Sequence, residues 1–234
     1  MAHDPMTDFI PERFRWRSLR RHPSALLLAA QLLSLLLYPM VEDTQGGRVM
    51  LGAVALVVVP LAVWVVRRSM AANWVAWLLA IPAIALSGIG IALDQPGLVV
   101  WSSLLEATLY FYAAGGLIQY MLHDYHVSAD ELYASGATFT LLAWGFAYAF
   151  FVCQAWHPDS FAGVVEPERP RRWIELLFLS FSTLSSVGIG DVIPLGPQAR
   201  VLVMFEQMAG VGYIALVVSR LIGLSVSRSR NDRR

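Results

Sequence analysis

The sequence predicts an all-α membrane protein: six transmembrane helices, with one short re-entrant helix leading into a glycine-alternating loop. Three observations carry that expectation. Hydrophobic residues fill 57% of the 234 positions and charged residues only 15%, against about 25% charged in an average soluble domain. Six apolar runs, at 24–41, 49–66, 73–93, 98–121, 133–156 and 199–225, have about the 20 residues that a helix needs to cross the hydrocarbon core. Between the last two lies the apolar run from Trp173 to Ser185, too short to span and suited to a half-helix that enters and leaves by the same face.

The first 22 residues form a polar head in which Phe14, Trp16 and Leu19 interleave with Arg13, Arg15, Arg17, Arg20 and Arg21. Such a pattern fits a helix lying on the membrane surface, or a solvated basic tail. The run from Ser24 to Val41 lacks a small-x-small cleavage site and is followed by further spans, so it reads as an uncleaved first span. Pro60 and Pro82 fall inside apolar runs, where membrane helices tolerate a kink.

Arginine placement sets the orientation. One side collects the head, Arg67, Arg68, Arg228, Arg230, Arg233 and Arg234; the other has Arg48, Arg169, Arg171 and Arg172. The positive-inside rule then puts both termini in the cytoplasm of a multi-pass protein of the cell (inner) membrane. Residues 169–172, with Glu166 and Glu168, read as a solvated outer turn. Trp64, Trp74, Trp101, Trp156 and Trp173 fall near span ends, as an interfacial belt does. The boundaries that follow are a cytoplasmic or interfacial segment 1–22, a four-helix unit 23–122, a cytoplasmic linker 123–132, a unit 133–225 holding the last two spans and the half-helix, and a short cytoplasmic tail 226–234.

Several classes are excluded. Seventeen basic residues balance seventeen acids, so there is no basic face for nucleic acid. The lone Cys153 permits neither an intrachain disulfide nor a cysteine metal cluster and reads as a small core residue. No HExxH or GxSxG motif is present, and the chain reads as no enzyme and as needing no cofactor.

The informative stretch is Ser182 to Asp191, STLSSVGIGD. Gly188 and Gly190 alternate with Val187 and Ile189, and glycine at every second position admits positive φ there. Successive carbonyls can then face one way, and a ring of such loops lines a tunnel with oxygens that replace the water of a dehydrated cation. With the half-helix before it and the apolar span after it, this stretch resembles the pore region of the potassium channel superfamily, closest to the prokaryotic two-helix pore module. Ser186-Val187-Gly188-Ile189-Gly190-Asp191 stands where that family has Thr-Val-Gly-Tyr-Gly-Asp, and Thr183 and Pro194 also match. The resemblance covers about 135–225.

The resemblance implies a passive potassium-selective channel with K⁺ bound by Ser186, Val187, Gly188, Ile189 and Gly190. It implies filter support from Thr183 and from Asp191 at the outer mouth, bracing the filter from behind. A pore then needs four chains, a homotetramer among membrane lipids. It also implies a gating hinge at Gly210, for which close helix packing is the alternative, and an apolar inner gate among Val217, Val218 and Leu221. Ile189 replaces the phenol that tethers the family's filter, and Ser186 lacks the methyl of Thr, so K⁺ over Na⁺ discrimination rests on how else the filter is held. A weakly selective monovalent cation channel and a non-conducting regulatory subunit are the alternatives.

Six spans with the pore between the last two is also the layout of voltage-gated channels, whose fourth helix carries gating charges. Here the fourth span, Gly97 to Met121, holds no basic residue and only Glu106 as a charge, which predicts that no conventional voltage sensor is present. Glu106 is either a sensor of protons or cations or the partner of a helix-to-helix hydrogen bond. His123 and His126 lie in an acidic linker that is either a pH or divalent-ion sensor or simply solvated. Glu206, near Arg200, is expected to brace the half-helix.

Overall fold

The computed structural model describes residues 23–38, 73–123 and 129–231, with side chains up to residue 220. The expected segment 1–22, the run at 49–66 and His126 lie outside the described residues. Six helices and two short strands follow in order: α1 (Pro23–Leu37), α2 (Asn73–Ala92), α3 (Pro96–His123), α4 (Ala129–Trp156), β1 (Phe161–Gly163), α5 (Trp173–Leu184), β2 (Val192–Pro194) and α6 (Pro197–Asn231). Among the described residues four helices are long and apolar enough to cross a membrane: α2, α3, α4 and α6 up to Arg220. The described part of the expected first span is a helix of 15 residues, about 22 Å at the α-helical rise and short of the ~30 Å core.

Helix boundaries follow local chemistry. Prolines open α1, α3 and α6, where their missing N–H and fixed φ cost nothing. Helix α2 runs through Pro82 without interruption. Helix α4 begins at Ala129, earlier than the expected linker boundary at 132, because Asp130 and Glu131 are stabilised in its first turn by the helix dipole and by buried partners. Likewise α6 continues to Asn231, through most of the expected tail.

The packing is sequential: α1 lies on α4, α2 on α3, α3 on α4, and α4 on both α5 and α6. Helix α4 is therefore the central element. Its residues Ala134, Ala137, Leu141, Trp144 and Ala147 form one core with Leu109, Tyr110, Ala113 and Leu117 of α3. Phe146, Phe150 and the buried Cys153 form a second with Leu176 and Leu179 of α5 and Val203 of α6. Trp74, Trp101 and Trp156 are exposed as belt residues should be, and the rings of Trp101 and Trp156 meet at 6.0 Å. Trp173 is not a belt residue: it packs in the core, 5.6 Å from both Trp144 and Tyr148.

Polar fasteners join the elements at the base of α4. Asp130 accepts from the Ser24 amide at 3.3 Å and its hydroxyl at 3.1 Å, tying α1 to α4. Glu131 pairs with Arg220 at 2.9 Å, tying α4 to the far part of α6, and both side chains are mostly buried. The Tyr213 hydroxyl donates to the Ser135 carbonyl at 2.5 Å. Glu206 is fully buried, and its partner is the Ser180 hydroxyl of α5, which also reaches the Ala143 carbonyl of α4 at 2.8 Å. Bracing of the half-helix was expected; the neighbour Arg200 takes no part and instead reaches the Pro194 carbonyl.

Two local features of the segment between α4 and α6 were not expected from the sequence. Strands β1 and β2 pair antiparallel, Phe161 with Pro194, Ala162 with Ile193 and Gly163 with Val192. Runs of three residues carry no periodicity that a sequence can display. The expected solvated turn 169–172 is instead built around a buried Arg171, 3% exposed. Arg169 pairs with Glu166 and Glu175, both at 2.8 Å, so this one of the arginines that break the positive-inside pattern is locally neutralised.

Two outcomes are expected. Removing the buried partner in Arg220→Gln lowers thermal stability in detergent by about 3–5 kcal/mol, the usual cost of breaking a buried pair, and adding Glu131→Gln restores most of it. Burial raises the Glu175 carboxyl, but hydrogen bonds from Arg169 and from the Arg172 amide outweigh it and hold the group below its ordinary 4.5. The resulting stabilisation is complete above 4.5 and is lost as the pH falls through the lowered value. A melting-temperature series across acid pH checks this, and Glu175→Gln flattens it.

Candidate functional site

Helix α5 is 12 residues long, about 18 Å, too short to cross a ~30 Å hydrocarbon core. Glu175 in its first turn accepts from the Arg172 amide at 2.6 Å, and no basic residue occupies the last turn. The negative end of the dipole is thus left uncompensated by side chains. Its carbonyls are taken up by the loop that follows. The Ser185 amide donates to Phe181 at 3.1 Å and the Ser186 amide to Thr183 at 3.0 Å. The carbonyl of Ser182 accepts twice, from Val187 at 2.9 Å and Gly188 at 3.0 Å.

Those bonds fix where the loop's oxygens point. In a trans peptide the C=O of one residue is antiparallel to the N–H of the next. Amides of Val187 and Gly188 both point back at α5, so the carbonyls of Ser186 and Val187 both point away from it. Backbone angles extend the pattern: φ is +61° at Ser186, +61° at Gly188 and +78° at Gly190, whereas Val187 and Ile189 keep negative φ. Glycine meets this at two of the three positions without strain. Ser186 holds it at about 1–2 kcal/mol, a conformation that the residue type does not announce. All of 186–190 is exposed on this chain.

The outer end is held by the ribbon. Val164 donates to the Asp191 carbonyl at 2.9 Å, and Leu195 donates to Ser160 at 2.8 Å. The Asp191 carboxylate accepts from its own neighbour, the Val192 amide, at 2.9 Å. That bond shapes the exit turn of the loop. Thr183 is buried and supports the loop through its carbonyl.

The remaining predicted residues divide. A Cβ at Gly210 would overlap the Leu184 carbonyl at the end of α5, so the close approach of α6 explains this glycine, and α6 is helical through it. Val217 packs partly buried against its own chain's core, Val218 is exposed, and the Leu221 side chain lies outside those described. Glu106 of α3 is buried, 4% exposed, and one of its carboxylate oxygens has no hydrogen-bond partner. Tyr148 stacks on Tyr110 at 5.7 Å and touches Trp173, the first residue of α5. His123 ends α3, exposed. Among the described residues no cluster of three or more His, Cys, Asp or Glu could hold a metal ion. Sequence reasoning assigned no role to Ser182, Gln154 or Arg171; a backbone carbonyl and a buried arginine in a polar turn leave no pattern to find.

Residues 136–225 match the family described as ion channel. Over 74 residues the chain is 32% identical to the inward rectifier potassium channel Kirbac3.1 of Paramagnetospirillum magnetotacticum; the match covers 32% of this chain and 22% of that protein. No solved structure matches. The family match spans most of α4, the half-helix, the glycine-alternating loop and α6 up to residue 225, so the similarity to ion channels lies in the last two long helices and what they enclose.

Proposed function

We propose that the chain is a passive, potassium-selective channel, active as a homotetramer in the cell membrane, with both termini cytoplasmic and without a conventional voltage sensor. The observation that carries this reading is the backbone of 186–190. Positive φ at alternate residues and two amides turned to one carbonyl of α5 leave a column of oxygens free for a dehydrated cation. Carbonyls of Ser186, Val187, Gly188, Ile189 and Gly190 bind K⁺, and the Ser186 hydroxyl closes the innermost site.

One chain offers one wall of such a tunnel. Beside the exposed filter, α6 bears an apolar stripe, Val201, Phe205, Met208, Val211, Ile214 and Val218, all exposed and spaced three or four apart. Four copies around the filter axis cover it. The inner constriction falls among Val217, Val218 and Leu221, and α6 packs directly on the end of α5 at Gly210. Helix α3, packed on the pore unit, carries no Arg or Lys. A charge moved through 100 mV is worth about 2.3 kcal/mol, and α3 offers no such basic charge. Glu106, His123 and His126 are the sensor candidates. Ile189, exposed and without a phenol, favours a weakly selective cation channel as the second reading.

Purified protein in potassium-loaded liposomes is expected to take up radioactive rubidium, to be blocked by Ba²⁺, and to take up rubidium at least tenfold faster than sodium. Equal uptake would establish the second reading, and no uptake would point to a non-conducting subunit. Gly188→Ala introduces a Cβ that meets nothing within 4 Å on its own chain, so its effect is conformational. Forcing Ala to φ +61 is expected to abolish rubidium uptake while assembly persists.

A further inference from the structure

A filter whose central aromatic is replaced by Ile189 needs another anchor at its outer end, and the structure contains one. The strand leaving the filter is zipped to the strand leaving α4 from Asp191 to Gly196, through Val164 N to Asp191 O at 2.9 Å, the three ribbon pairs, and Leu195 N and Gly196 N to Ser160 O at 2.8 and 3.3 Å. Residues 163–165, at the other edge of this zipper, rest on Arg171.

Arg171 is 3% exposed, in a turn where its neighbour Arg172 is exposed. Its guanidinium is not spent on a close ion pair, since the nearest carboxylate, Glu175 Oε1, is 3.9 Å away. Instead it donates to backbone: Nη1 to the Val165 carbonyl at 3.2 Å, and Nη2 to the carbonyls of Glu166 at 2.5 Å and of Arg169. Gly163 lies so close that a Cβ there would overlap Nη1. Gln154 of α4 grips the Arg171 backbone at both ends, accepting from its amide at 2.8 Å and donating to its carbonyl at 3.0 Å. Burying a guanidinium costs desolvation; the planar fork offsets part of it through three backbone carbonyls, while Nε is left without a partner.

We propose that Arg171 is a positioning residue for ion selection: anchored on α4 by Gln154, it fixes residues 163–165, which fix Asp191 and Val192 and so the carbonyl of Gly190 at the mouth. The clamp does from the turret what a phenol at 189 would do from within. This inference rests on reading 186–190 as a potassium filter. A clamp that sets carbonyl spacing changes which ion passes, whereas a merely structural arginine changes only how much channel is made.

The test measures rubidium and sodium uptake per assembled channel, using the full chain in liposomes, for wild type, Arg171→Gln, Arg171→Lys, Gly163→Ala and Arg172→Gln. Arg171→Gln and Gly163→Ala are expected to lower the rubidium-to-sodium ratio at least fivefold at unchanged assembled size. Arg171→Lys, keeping charge but not the fork, should fall between. Arg172→Gln, which removes the same charge from an exposed position, should stay within twofold of wild type. If Arg171→Gln does not assemble, Gly163→Ala and Arg171→Lys decide by the same ratio. An unchanged ratio in conducting variants, or uptake that drops only with the amount of assembled protein, overturns the clamp and leaves the channel reading standing. A wild type that passes neither ion overturns both.

Discussion

Irregular backbone at membrane depth survives only where its amides find partners, because the bilayer offers none. The carbonyl of Ser182 supplies that partner twice, to Val187 and to Gly188. Much else in the chain serves to keep this oxygen in place. Helix α5 must stop where it does, and Gly210 lets α6 approach its last carbonyl. Ser180 and Glu206 join the back of the half-helix to α4 and α6. The loop's oxygens face outward because its amides are already committed.

Helix α4 transmits the consequences. At its outer end Gln154 holds the turret; at its base Asp130 meets Ser24 of α1, and the adjacent Glu131 meets Arg220 of α6. Consecutive carboxylates in one helical turn thus connect the first described helix with the far part of the last. Tyr110 of α3 stacks on Tyr148 of α4, whose ring meets Trp173 at the start of α5.

The sequence made the pore unit legible because its constraints are stated by residue type. Glycines at 188 and 190 announce positive φ, and the short apolar run from Trp173 to Ser185 announces a half-helix. Ser186 shows where that logic stops: it adopts the same φ as Gly188, and no residue preference signals it. The ribbon is three residues a side, too short for a period. Arg171 and Glu131 look like surface charges in sequence and are buried in the fold, since burial of a charge depends on carbonyls and partners contributed by distant segments. Gly210 and Trp173 were legible as special residues but not as to what they touch.

The central claim is that 186–190 forms one wall of a four-fold column of oxygens that binds dehydrated K⁺. Density maps of the purified assembly in K⁺ and in Na⁺ test it most directly. Four copies around one axis, with ion peaks between successive oxygen rings from Ser186 to Gly190 in K⁺ and altered occupancy in Na⁺, is the predicted result. An assembly without four-fold symmetry, or a loop whose carbonyls face away from the axis with no ion between them, would contradict it.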